Sequence, residues 1–147
     1  MKCSVFIATS TDGFIAKPDG NIDWLMAAGN SHVDLGDEAD MGFNQYIQSV
    51  DCMIMGRKCM EMIDSMNLTD DQWPYGELPI YVLSNSLKDA PIGLKDKVNM
   101  YSGDITDLIS RLEKQGHKQA YIDGGNTIQN FINLELINEL TITRAPV

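Results

Sequence analysis

Apolar and polar positions along this chain follow two rhythms that take turns, a strand rhythm and a helix rhythm. "CSVFIAT" (3–9) is a β-rich apolar run ended by Thr11-Asp12-Gly13, and "FIA" (14–16) is followed at once by Pro18-Asp19-Gly20. The chain therefore opens with a strand and then a turn-rich loop reaching Trp24. "FNQYIQSV" (43–50) returns Phe43, Ile47 and Val50 to one face at helical spacing. "CMIM" (52–55) is a short apolar run that stops at Gly56, and "RKCMEMIDSM" (57–66) reads as a helix. "PIYVLS" (79–84) gives a third strand and "VNMY" (98–101) a fourth. "ITDLISRLEKQ" (105–115) carries Ile105, Leu108, Ile109 and Leu112 on one side and ends at Gly116, as helices often do. "QAYID" (119–123) is a fifth strand, "TIQNFINL" (127–134) a helix, and "ELTITRA" (139–145) a strand of period two. Apolar strands separated by helices predict an α/β fold with a mostly parallel sheet covered on both faces.

Length and composition narrow the picture without changing it. A chain of 147 residues is read as one domain, 1–147, long enough to bury about two-thirds of its unfolded surface unaided. The formal charge of −10 argues against nucleic acid or an anionic membrane as partner. Any anion bound must then be held by local groups. Cys3, Cys52 and Cys59 are an odd number without CxxC spacing, which suggests neither a disulfide framework nor a zinc site and fits a reducing cytoplasm. The opening apolar run meets Asp12-Gly13 too early for a signal-peptide core, and no stretch reaches membrane-spanning length.

Candidate chemistry lies where strands meet glycine. In "AYIDGGNTIQNF" (120–131) a strand runs into Gly124-Gly125 and emerges as a helix. A glycine pair there serves a turn of positive φ or lets a ligand approach the backbone, and helix-start amides favour an anion. "MIMGRK" (53–58) is a second such junction, with Arg57 and Lys58 at the start of a helix, where two cations oppose the dipole. An anion between them would relieve that conflict; two solvated side chains are the plainer reading. Open parallel sheets bind ligands at the carboxyl ends of their strands, where both junctions fall. Neither matches GxGxxG or GxxxxGK[ST].

Other features point to structure. "DGNID" (19–23) has the alternating oxygens of a calcium loop, but Trp24 stands where glycine is needed and Asn30 where the bidentate Glu belongs. His32 and His117 lack metal spacing with each other or with cysteine and read as surface residues, so no metal is expected. Met53, Met55, Met60, Met62 and Met66 read as a methionine-rich core.

Four segments together, "SVFIATSTDGFIA", "SVDCMIMGRK", "PIYVLSNS" and "YIDGGNTIQNFINLELINELTITRAPV", resemble the successive signatures of the dihydrofolate reductase-like family, in the branch that includes the reductase domain of bacterial riboflavin biosynthesis enzymes. The resemblance covers nearly the whole chain. It implies a three-layer αβα sandwich around a mixed, mostly parallel sheet, NADPH as cofactor, and hydride transfer to a small planar heterocycle of dihydrofolate, pterin or riboflavin-pathway pyrimidine type. It places the nicotinamide carboxamide at Ala8, phosphates at Gly56, Arg57 and Lys58 with Arg57 on the 2′-phosphate, the adenosine side at Ser84 and Asn85, and the pyrophosphate on Gly124, Gly125, Asn126 and Thr127. On that reading a β-carbon at the glycine pair would stand where the cofactor must come close.

The resemblance also implies differences. Many relatives carry Thr two residues after the Arg of the MGR segment, where this chain has Cys59, a weaker donor. Relatives continue past "APV" with one or two further strands, without which "ELTITRA" would be left as an edge. Two readings follow: the sequence is truncated after Val147, or a second subunit, in a homodimer, covers that edge. In the dihydrofolate-reducing branch one catalytic acid on the helix after the flexible loop bonds the substrate ring and aids its protonation. Gapless counting back from "IMGR" places that position at Asp40, and the spacing of Asp40, Phe43, Ile47 and Val50 puts the carboxylate on the apolar stripe. Asp40 also reads, with Asp37 and Glu38, as a first-turn residue complementing the dipole. The alternative to an NADPH-dependent oxidoreductase is a non-catalytic nucleotide- or ligand-binding module that keeps the fold.

Overall fold

A computed structural model describes residues 1–18 and 42–145. Strands β1 (Lys2–Thr9), β2 (Cys52–Gly56), β3 (Ile80–Leu83), β4 (Asn99–Tyr101), β5 (Gln119–Asp123) and β6 (Glu139–Arg144) form one sheet of order β4-β3-β2-β5-β1-β6. All five pairings are parallel, so the six strands carry no antiparallel member of the mixed sheet that the resemblance implies. Helices α1 (Phe43–Ser49), α2 (Arg57–Ser65), α3 (Ile105–Lys114) and α4 (Gly125–Asn133) supply the crossovers.

Strand periodicity decides which side chain meets which helix pair. Met53, Met55 and Tyr121 point to one face, packed with Met60 and Ile63 of α2 and against Phe43 and Ile47 of α1. Cys52, Ile54, Ala120 and Ile122 point to the other, onto Leu108 and Leu112 of α3 and Ile128 and Phe131 of α4. The result is the three-layer αβα sandwich. The chain runs outward through β2, β3 and β4 with α1 and α2 on one face, then returns through β5 to β6 with α3 and α4 on the other. Reversing direction together with face keeps every crossover of one hand.

The methionine reading holds at the strands and fades along α2. Met53, Met55 and Met60 are fully buried, Met62 is half-buried and Met66 is exposed. Cys3 and Cys52 both register with Ala120 of β5, which lies between their strands. Two strand spacings, about 9–10 Å, separate their backbones and exclude a disulfide between them. Among the described residues strand β6 pairs with β1 alone, and its Leu140 and Ile142 are 48% and 50% exposed. No helix of the described residues is long and apolar enough to cross a membrane.

Candidate functional site at the carboxyl end of the sheet

The carboxyl ends of β3, β2, β5 and β1 lie side by side, and each ends on residues singled out by sequence: Ser84 and Asn85 after β3, Gly56 to Lys58 at the end of β2, Gly124 to Thr127 after β5, and Ala8 one residue from the end of β1. Helix α4 begins at Gly125, two residues earlier than its apolar pattern predicts. Its free first-turn amides thus stand beside the end of β2.

The two glycine junctions interlock. A β-carbon on Gly56 would lie 2.7 Å from Thr127 Oγ1, and one on Gly124 would lie 2.9 Å from Cys59 Sγ and 3.7 Å from the Gly56 nitrogen. Gly124 also has φ +96°, a conformation that disfavours any side chain. Gly125 has no such φ, and its β-carbon would meet only Ile15 Cδ1 at 3.0 Å. The nearest reason for glycine here is thus internal: the end of one strand packs on the helix start of the other, where the sequence suggested room for a cofactor. Cys59 is half-buried between the junctions. Burial and then the charge of Asp123 push its thiol up to about 12, so it stands as a neutral packing group.

Arg57 has found its counterion inside the chain. Its Nε lies 3.3 Å from Glu61 Oε1 one turn along α2, and Nη1 donates to Ser86 Oγ at 3.1 Å, beyond the end of β3. Glu61 relieves the dipole conflict seen in the sequence, so a bound anion is not required to explain it. The guanidinium nonetheless remains exposed beside the hydroxyl of Ser86, and Lys58 is exposed with it. Ser84 Oγ accepts from the Leu87 amide at 3.0 Å, and Asn85 Oδ1 accepts from Ser102 Oγ at 3.1 Å. Both shape the loop after β3.

Asp123 is the residue that sequence reasoning missed. It ends β5, pairs in register with Met55, and by strand alternation shares the α1 side of the sheet with Tyr121. Burial raises its carboxyl above the usual range, and the Gly124 amide, donating at 3.0 Å to Oδ1, opposes that shift without cancelling it. Around it lies a phenolic and aromatic wall. Tyr46 stacks on Phe6 at 4.9 Å between centroids and meets Tyr121 edge-on at 5.1 Å, while Phe43 packs on both Phe6 and Tyr121. Tyr46 shares a hydrogen bond of 2.6 Å with Ser4 Oγ. Burial pushes Tyr46 up to about 12 and Tyr121 and Tyr75 higher, with Asp123 adding to all three shifts. These groups stay neutral around one carboxyl. An ionisable residue closing a buried strand directly before two glycines was the available signal.

Asp40, Asp37, Glu38, Trp24, His32 and the "DGNID" stretch lie outside the described residues.

The C-terminal domain family of RibD has a model that matches residues 2–147. The chain is 31% identical over 148 residues to the uncharacterized protein YwjB of Bacillus subtilis, covering 99% of this chain and 77% of that one. It superposes on the crystal structure of a candidate riboflavin biosynthesis protein from Shewanella sp. PV-4 with TM-score 0.83 and 42% identity, over 100% of this chain and 78% of that one. RibD of Acinetobacter baumannii shares the fold, with TM-score 0.61 and 15% identity over 99% of this chain and 46% of that one. With its sheet order, glycine junctions and matched length, this chain belongs to the RibD C-terminal domain family, of riboflavin-pathway reductase-type fold.

Proposed function

We propose that this protein is a reductase that takes NADPH as hydride donor and a small planar heterocycle, of dihydrofolate, pterin or riboflavin-pathway pyrimidine type, as acceptor. The observation that carries the proposal is the row of Ala8, Gly124, Gly56 and Ser84 at the carboxyl ends of four adjacent strands in a RibD-type sheet. Such a row can support an extended dinucleotide along its length. Arg57 would hold the 2′-phosphate with Lys58 beside it, by opening toward solvent from Glu61; a planar guanidinium suits that group. The first-turn amides of α4, from Gly125 to Thr127, would face the pyrophosphate. Ser84 and Asn85 would border the adenosine, and Ala8 the nicotinamide.

When bound, NADPH supplies the hydride. The chain's own residues supply position and a proton. Asp123, on the same side of the sheet as Ala8 and kept protonated further up the pH scale than a free carboxyl, is suited to donate to a ring nitrogen or hold it by hydrogen bond. The aromatic side chains of Phe6, Phe43 and Tyr46 give that end an apolar wall for a flat ring. Asp40, assigned by the resemblance, is a second candidate for the acid. A homodimer closing over the open edge of β6 belongs to the same reading, and sedimentation across a concentration series checks it.

The test is oxidation of NADPH followed at the cofactor absorbance with dihydrofolate, dihydrobiopterin and aminouracil substrates, run beside thermal shifts with NADPH and NADH. Turnover with one class supports the proposal. Cys59 in place of Thr and the engagement of Arg57 by Glu61 bear on cofactor affinity alone; an NADPH shift without turnover would support the second reading, a nucleotide-binding module without chemistry. Absence of both sinks the two together.

A further inference from the structure

At the opposite end of the sheet, the amino ends of β2 and β5 bring together Asp51, Cys52 and His117. Among the described residues this is the one group of three His, Cys, Asp or Glu side chains close enough to share an ion, with ligand atoms all within 4.8 Å of one another. Sequence spacing could not show it, because Asp51 and Cys52 enter β2 while His117 sits in the turn between α3 and β5.

The three donors differ in how they are held. Asp51 Oδ2 accepts from the Lys118 amide at 2.8 Å and the Gln119 amide at 3.3 Å, which fixes the carboxylate from its outer side. Its Oδ1 lies 3.3 Å from His117 Nδ1. The Cys52 thiol is fully buried; it reaches the Gln119 carbonyl at 3.9 Å, long even for sulfur, and donates to the Asp51 carboxylate beside it. A thiol, an imidazole and an oriented carboxylate thus converge, with the thiol proton shared toward the carboxylate that would ligate beside it. Sulfur, imidazole nitrogen and carboxylate oxygen are the donor set of zinc, and backbone amides that orient a ligating carboxylate are its usual support.

We propose that Asp51, Cys52 and His117 form a site for a borderline-soft divalent cation of the zinc class, with solvent in the fourth position. Zinc bonds of about 2.0–2.3 Å place tetrahedral donors about 3.3–3.8 Å apart. The Asp51–His117 separation already matches, and the sulfur is reached by a closure of about 1 Å. The side chains of Asp51 and His117 are 42% and 19% exposed, so they can move and water can complete the sphere. Binding replaces the thiol proton of Cys52 with the metal and releases that proton to solvent, so affinity falls as pH falls. The ion would pin the start of β2 to the start of β5, away from the carboxyl-end site and independent of its chemistry.

Cobalt(II) is the probe, added to the reduced full chain. One equivalent is expected to give a thiolate-to-cobalt charge-transfer band in the near ultraviolet, zinc should displace it, and zinc should raise the melting temperature. Cys52→Ala should abolish the band, Cys3→Ala should keep it, and His117→Ala should weaken cobalt binding at least about tenfold. No band with one equivalent, or a band that survives Cys52→Ala, overturns the proposal. Should Cys52→Ala not fold, the partly exposed His117 decides: unchanged cobalt affinity in His117→Ala overturns it equally.

Discussion

Asp51 and Asp123 sit on neighbouring strands at opposite ends of one sheet, and their carboxyl groups shift in opposite directions. Burial pushes both upward. At Asp51 that push is outweighed by the amides of Lys118 and Gln119 and by His117, leaving the group below the usual carboxylate range. At Asp123 only the Gly124 amide opposes it, and the group stays raised. Shallower burial and more donors at Asp51, deeper burial and one donor at Asp123, together separate a carboxylate that holds the backbone from one that keeps a proton. The amino end of the sheet spends its polar groups on backbone: the Asn138 side chain accepts from the Cys3 amide, and the terminal amine meets Glu113. The carboxyl end instead carries one raised carboxyl on the α1 side of the sheet, beside the first-turn amides of α4.

The largest expected effect breaks the comparison at Asp123. Asp123→Asn keeps an oxygen to accept from the Gly124 amide but cannot give up a proton. Turnover in the NADPH assay should fall by about 10²-fold or more, the usual worth of a positioned acid. The melting temperature at neutral pH should not fall, because a raised carboxyl is a cost to the fold once ionised. A variant with full turnover would return the acid to Asp40, for which Asp40→Asn is the matching experiment.

Next come the glycines. Gly124→Ala forces positive φ on a side chain whose β-carbon meets Cys59 Sγ at 2.9 Å, so it should cost about 1–3 kcal/mol of stability. Gly125→Ala meets only the movable end of Ile15 and should stay within about 0.5 kcal/mol. That contrast makes Gly125→Ala the cleaner probe of the cofactor cradle. If the chain folds normally and the NADPH thermal shift is lost, a ligand lies on that backbone; a full shift leaves the glycine there for packing alone.

Arg57→Ala sharpens the assignment at the second junction. Losing a charge-assisted contact worth about 1.5–3 kcal/mol should weaken NADPH about tenfold or more, while NADH, lacking the 2′-phosphate, should change little. Equal losses for both nucleotides would limit Arg57 to its structural partners, Glu61 and Ser86.

Local periodicity made the scaffold legible. β5 falls on the predicted residues 119–123, and the other strands and helices differ by a residue or two at their ends. The glycine junctions were legible too, since a strand ending in glycine before a helix is a local event. The contents of the site were not. The partnership of Gly124 with Cys59, of Gly56 with Thr127, and of Arg57 with Ser86 depends on β2 lying beside both β5 and β3, a placement no local pattern encodes. His117 failed for the same reason. It has no ligand near it in sequence, and its neighbours Asp51 and Cys52 arrive through the sheet.

The smallest expected effect tests the opening contrast most directly. Asp51→Asn retains an acceptor for the Lys118 and Gln119 amides and removes only the charge that favours them. Charge-assisted bonds contribute about 1.5–3 kcal/mol, but this side chain is 42% exposed, so the loss should be nearer about 1 kcal/mol after screening. A depressed carboxyl contributes stability above its unfolded value, about 3.9, and loses that contribution as pH falls through the lower folded value. The deficit of Asp51→Asn, measured in chelator to exclude metal, should therefore be constant above about pH 5 and vanish in acid. Asp123→Asn should run the other way. Its raised carboxyl favours the fold only while protonated, so the variant should gain on the parent as pH rises. Melting temperatures of both variants and the parent from pH 3 to 8 decide the matter. Two difference curves of the same sign would show that the environments of Asp51 and Asp123 are alike, and the distinction between a structural end and a chemical end of this sheet would fail.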